Sequence, residues 1–178
     1  GIKFVMDWAK KLPLDMLFMA PSCVPATHLE TSGAQISSKE LKEILAYPNV
    51  IGLGEMMNFP GVIYGVPEVL DKVCAFASHP LDGHAPGLSD QGLQAYVAAG
   101  ITSDHECTAL EEAREKLHLG MYVMIREGTT TRNLKDLLPL VTPQNARRCL
   151  FVTDDRHPAD LLDEGHVDSL VRTAIGQG

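Results

Sequence analysis

Apolar and polar positions follow two alternating rhythms along this chain. Short apolar runs of strand length occur at residues 14–20, 50–54, 81–83, 101–103, 121–125 and 149–153. Each is too short to be a buried helix and reads as a buried parallel strand. Between these runs, apolar residues recur at helical spacing and predict helices over 2–12, 39–46, 67–77, 89–99, 109–119, 133–138 and 167–175. In the first, Phe4, Val5, Trp8 and Leu12 fall at helical intervals and Pro13 stops the run. In the second, Leu41, Ile44 and Leu45 form the buried face, with Ser37 or Ser38 as the N-cap. Pro67 opens the third at its first turn, while Gly100 and Gly120 sit where a left-handed residue closes a helix. Residues 21–37 form a long Pro-, Ser-, Thr- and Gly-containing connection, which in a compact domain is more often functional than filler.

Strands alternating with helices at this rhythm predict a parallel α/β sheet or βα barrel with right-handed crossovers. Gly52-Leu53-Gly54 lacks the third glycine of a dinucleotide fingerprint, and no P-loop lysine follows a glycine cluster, so nucleotide-phosphate binding has no support. No linker or low-complexity tract divides residues 1–178, which read as one segment of a catalytic barrel. A complete barrel takes about 250 residues, so 178 residues predict an incomplete one.

Composition narrows the partners. With 45% hydrophobic and 21% charged residues the chain has material for a core. A net charge of −8 with no basic stripe argues against a nucleic-acid partner. Cys23, Cys74, Cys107 and Cys149 form no C-x-x-C pair, which predicts reduced thiols and a cytoplasmic setting. The apolar stretch at 12–20 is too short to span a bilayer, so no membrane is expected as a partner.

The chemistry lies where predicted strands end. Glu55, His84, His105 and Asp154 each stand one step past an apolar run, and a βα barrel gathers its reactive groups at the C-terminal ends of its strands. Imidazole and carboxylate suit zinc, manganese or iron, and a carboxylate can bridge two ions. A divalent metal generates hydroxide at neutral pH, so this set predicts a metal hydrolase. Two imidazoles could hold one ion, Glu55 could bridge to a second, and Asp154 could touch metal and accept a proton. Blander roles stand beside these. Glu55 could cap a turn or pair with Arg126; His84 sits in a tight Gly- and Pro-flanked loop; Asp104 or Glu106 could orient His105 or be solvated; Asp155 is a twin of Asp154. Arg126, at another strand end, could orient a substrate or form an ion pair, and His157 could touch substrate or support the site. His118 reads as structural beside a helix C-terminus, and His28, His79 and His166 as exposed. Met56, Met57 and Phe59 read as lining or core.

The segments Gly52-Leu53-Gly54-Glu55-Met56-Met57-Asn58-Phe59-Pro60-Gly61-Val62, Asp82-Gly83-His84-Ala85-Pro86-Gly87-Leu88, Ser103-Asp104-His105-Glu106-Cys107-Thr108, Met124-Ile125-Arg126-Glu127-Gly128 and Thr153-Asp154-Asp155-Arg156-His157-Pro158 resemble, in order and spacing, the adenine deaminases of the amidohydrolase superfamily. The resemblance implies a TIM-type (β/α) barrel, here lacking its first strands. It implies hydrolysis of adenine to hypoxanthine and ammonia, a role in purine salvage, and a divalent, binuclear metal centre of manganese, iron or zinc. By position, Glu55 resembles the bridging carboxylate, His84 and His105 the histidines after the fifth and sixth strands, and Asp154 the aspartate after the eighth. Asp154, Glu55 and His105 would be catalytic, and a purine base the small-molecule partner of a homo-oligomeric full-length protein. The superfamily's H-x-H pair after the first strand is missing, so a longer enzyme cut short is expected. Two alternatives remain: an amidohydrolase acting on a cyclic amide, and a truncated non-catalytic α/β scaffold. The H-x-E and P-C-x-x-C signature of the zinc nucleobase deaminases is absent.

Overall fold

A computed structural model describes residues 1–27 and 29–177, so the expectation for His28 lies outside the described residues. Six strands form one sheet in strict chain order: β1 Phe18–Pro21, β2 Val50–Met56, β3 Leu81–Gly83, β4 Ser103–Asp104, β5 Tyr122–Arg126 and β6 Cys149–Val152. Every neighbouring pair is parallel. A doubly wound sheet reverses its strand order at a switch point. Here the order runs on without reversal, which is the arc of a TIM-type barrel.

Helices fill the crossovers: α1 Ile2–Ala9, α2 Ser38–Leu45, α3 Phe59–Ile63, α4 Pro67–Ala75, α5 Asp90–Ala98, α6 Leu110–His118, α7 Leu134–Leu137, α8 Pro158–Asp163 and α9 Val167–Gln177. Two apolar clusters hold them to the sheet. Leu41, Leu53, Met56, Phe76, Leu81, Leu93, Tyr96 and Ile101 pack with their neighbours around β1–β3. Cys107, Ala113, Val123, Ile125, Leu134, Leu137, Leu140 and Leu170 do the same around β5. Glycine sets how closely β1 and β2 approach. A Cβ at Gly52 would meet the Pro80 carbonyl at 2.4 Å and Met19 Cε at 2.5 Å, so only glycine leaves room for Met19 there.

The predicted helices and strands appear with moved ends, and the first two elements differ most. The helix at 2–12 stops at Ala9 and buries Met6 and Ala9, leaving Phe4, Val5, Trp8 and Leu12 exposed. The strand expected from residue 14 starts at Phe18, because the chain bends at 12–14 and leaves Leu14 and Leu17 in solvent. In α2, Ser37 is the N-cap and Leu41 is fully buried. Gly100 and Gly120 take φ of 105° and 86°, as a helix-closing glycine does. No described helix is long and apolar enough to cross a membrane.

Candidate metal centre

Strand register builds the site. Met56 pairs with Gly83, and Gly83 with Asp104, so Glu55, His84 and His105 emerge at one height on the C-terminal edge of the sheet. Glu55 Oε2 lies 3.0 Å from His84 Nδ1 and 3.5 Å from His105 Nε2. The two imidazoles stand edge to face with ring centroids 5.2 Å apart. Glu106 Oε1 approaches the same nitrogens, at 3.6 Å from His84 Nδ1 and 3.5 Å from His105 Nε2.

Two sets of ligand atoms result, each mutually within 4.8 Å: Glu55, His84 and His105, and His105, Glu106 and Asp154. Ligands about 2.1 Å from one ion are spaced about 3.0 Å apart in an octahedron and about 3.4 Å in a tetrahedron. The 3.0 and 3.5 Å spacings around Glu55 Oε2 match those edges, so the first set fits a divalent metal. His105 belongs to both sets and joins them.

The second set carries its own counter-charge. Arg126, at the end of β5, donates from Nη1 to Glu106 Oε1, from Nη2 to Glu106 Oε2 at 3.1 Å and from Nη1 to Asp154 Oδ2 at 2.8 Å. Arg126 is buried, and its Nε has no partner among the described residues. Asp154 reaches Arg126 with a left-handed backbone, φ 49°, a conformation aspartate adopts more readily than most non-glycine residues. His157 stands further along the same loop as the exposed N-cap residue of α8. Its backbone N–H donates to Thr129 Oγ1 at 2.9 Å.

Electrostatics within the set follow from these contacts. The hydrogen bond from His84 holds the Glu55 carboxyl below the usual range, against the opposing effect of burial. The same bond raises His84 above an ordinary imidazole, again against burial. An open cleft of about 360 Å³ adjoins them, lined among others by Glu55, His105, Asp154, Asp82, Met19, Met57 and Met124. The three methionines give the lining polarisable, apolar character.

The supporting groups were only partly visible in the sequence. Tyr96, from α5, accepts the His84 N–H at 3.2 Å and donates to the Met56 carbonyl at 2.7 Å. Ser22, just after β1, donates from its hydroxyl to the Glu55 carbonyl oxygen. Asp104 is fully buried and accepts the N–H groups of Ala85 and Glu106 at 2.9 and 2.7 Å. Of the remaining histidines, His118 ends α6 exposed, His166 is exposed and half-buried His79 packs its ring on Phe76; none joins either ligand set.

Residues 1–164 match the model of the Amidohydrolase family. The chain belongs to the amidohydrolase family. Its whole length aligns with a protein named adenine deaminase from Dehalococcoides mccartyi strain CBDB1 at 60% identity, covering 31% of that relative. Coverage is the same for adenine deaminase of Syntrophobacter fumaroxidans at 56% identity and adenine deaminase 2 of Carboxydothermus hydrogenoformans at 50%. This amidohydrolase chain thus spans about a third of the length of the curated relatives it matches.

Proposed function

We propose that this amidohydrolase segment carries part of the active site of a hydrolytic adenine deaminase. The observation that supports this best is the meeting of Glu55, His84 and His105 around ligand spacings that suit a divalent ion. The naming of the relatives supports adenine as substrate. Glu55, His84 and His105 would hold one ion, and Glu55 would bridge to a second near Asp154 in a binuclear centre of manganese, iron or zinc. Ions held there would supply Lewis acidity and a nucleophilic water at neutral pH.

The chain's own groups do the rest. The Asp154 Oδ2 is held by Arg126 at 2.8 Å, which leaves Oδ1 to accept a proton from the attacking water. The water oxygen bonds to C6 of adenine and the bond from C6 to the exocyclic nitrogen breaks. One water proton passes through Asp154 to the departing amine, which leaves as ammonia, and the other remains on the ring nitrogen of hypoxanthine. His105 lines the cleft with Asp154 and would donate to charge developing on the ring. Arg126, held by two carboxylates, would keep Asp154 aimed, and His157, exposed on the loop after Asp154, would contact the purine. A role in purine salvage, in the cytoplasm and within a homo-oligomer, accompanies this reading.

The test uses the full-length protein containing this chain, loaded with Mn²⁺ and assayed for ammonia release from adenine. His84→Ala and Asp154→Asn are each expected to lower kcat by at least about 10²-fold, the low end for loss of a positioned proton-transfer group. Full activity in either variant would overturn the assignment. Turnover of hydantoin or dihydroorotate in place of adenine would move the reading to cyclic amides.

A further inference from the structure

The side chain of Lys116 is fully buried, on the sheet-facing side of α6. Its ammonium donates two hydrogen bonds and makes one ion pair. The Ala85 carbonyl lies at 2.8 Å, Glu112 Oε1 at 2.7 Å and Asp104 Oδ2 at 3.2 Å. Each acceptor belongs to, or grips, a loop that carries an imidazole. Ala85 directly follows His84, and its N–H is also bound, by Asp104 Oδ2 at 2.9 Å. Asp104 directly precedes His105, and its other oxygen binds the Glu106 N–H at 2.7 Å. Glu112 Oε1 accepts the Gly87 N–H at 2.9 Å, further along the His84 loop.

Both backbone polar groups of Ala85 are therefore fixed by one network whose centre is Lys116. Burial pushes a lysine down, yet Asp104, Cys107 and Glu112 overcome it and leave Lys116 above its ordinary value, so the ammonium stays charged. A buried charge of this kind is costly unless every partner is in place. Two hydrogen bonds and an ion pair hold the ammonium from three sides, which favours a fixed geometry over mere tolerance of a buried polar group.

We propose that Lys116 is a positioning residue for the metal centre: its ammonium ties the His84 and His105 loops into one unit and thereby fixes the spacing of the two imidazoles. It touches neither metal nor substrate. The inference rests on the metal-centre reading and adds to it a residue 11 positions beyond His105 in the chain. Groups behind metal ligands that orient them typically matter by 10–100-fold in metal affinity.

The test measures Mn²⁺ affinity of the full-length protein by competition with a chelating dye, beside urea denaturation of the metal-free form. Lys116→Met is expected to weaken Mn²⁺ binding by about 10–100-fold. Because that substitution strands Asp104, Glu112→Ala is measured in parallel. It keeps the pair between Lys116 and Asp104, releases the Gly87 anchor, and is expected to weaken Mn²⁺ by a few-fold while lowering the urea midpoint less than Lys116→Met does. A filler role alone would shift the urea midpoint of both variants and leave Mn²⁺ affinity unchanged, and that result would overturn the proposal while the metal centre stands. Failure of the unsubstituted protein to bind Mn²⁺ would overturn the metal centre itself, and the proposal with it.

Discussion

Where Gly83 would carry a Cβ, the Ser103 carbonyl oxygen stands 2.4 Å away and Ile101 Cγ2 2.8 Å away. Backbone cannot retreat as a flexible side chain can, so Gly83→Ala is expected to cost about 1–3 kcal/mol of stability. A urea-denaturation midpoint equal to that of the parent would refute this close approach. The thiols allow a second residue-level check. Burial raises the Cys107 thiol to about 12, whereas Cys74 is exposed. Iodoacetamide at pH 8 is expected to label Cys74 readily and Cys107 only after unfolding, since the thiolate is the reactive form. Rapid native labelling of Cys107 would contradict its burial. At this scale the sequence shows ligand types better than their alliances. Glu55, His84, His105 and Asp154 could be read because each follows an apolar run. Glu106 joins the site through Arg126, 20 positions away, a partnership that only the sheet brings about. Lys116 left a fainter trace: it lies three residues after buried Ala113 and four after Glu112, on the face of α6 where a charge is out of place.

Among the helices, α2 shows how local signals fix an element. Ser37 Oγ accepts the Lys39 N–H at 3.2 Å while the Glu40 carboxylate accepts the Ser37 N–H at 2.9 Å, a reciprocal capping box. Ser37→Ala is expected to cost about 1 kcal/mol. The hydrogen bond from the Ser37 hydroxyl holds the Glu40 carboxyl below its usual value. A depressed carboxyl contributes stability above its unfolded pKa, near 4.3, and loses it as pH falls through the lower folded value. Thermal melts of the parent and Glu40→Ala should therefore differ at pH 7 and converge as the pH falls well below the unfolded value; a constant gap would mean that ionised Glu40 does not cap α2. The box was legible because its residues are adjacent. The short helices α3 and α8 were not, since five and six residues span too few turns to show a period, and Asn58 and Pro158 set them locally. In α1 the spacing of Phe4, Val5, Trp8 and Leu12 marked the helix but not its buried side, which Met6 and Ala9 form.

For the whole molecule, strict strand order leaves β1 and β6 each paired on one side only among the described residues. Phe4, Trp8, Leu14, Leu17 and Leu162 add exposed apolar area, from 51% to 87% accessible. Unpaired parallel edges beside such area favour association, so the 178-residue chain on its own is expected to run larger than a monomer in light scattering at tens of micromolar. A clean monomer would contradict that expectation. The barrel arc and the gathering of its strand ends were legible in the alternation of runs and helices, but the distances between those ends were not, because register between strands is set by packing across the sheet. The central claim is that this meeting point holds a metal. It is tested most directly by anomalous diffraction from crystals of the full-length protein grown with Mn²⁺. The account predicts a manganese peak about 2.0–2.3 Å from Glu55, His84 and His105; ordered side chains at these positions with no peak between them would contradict it.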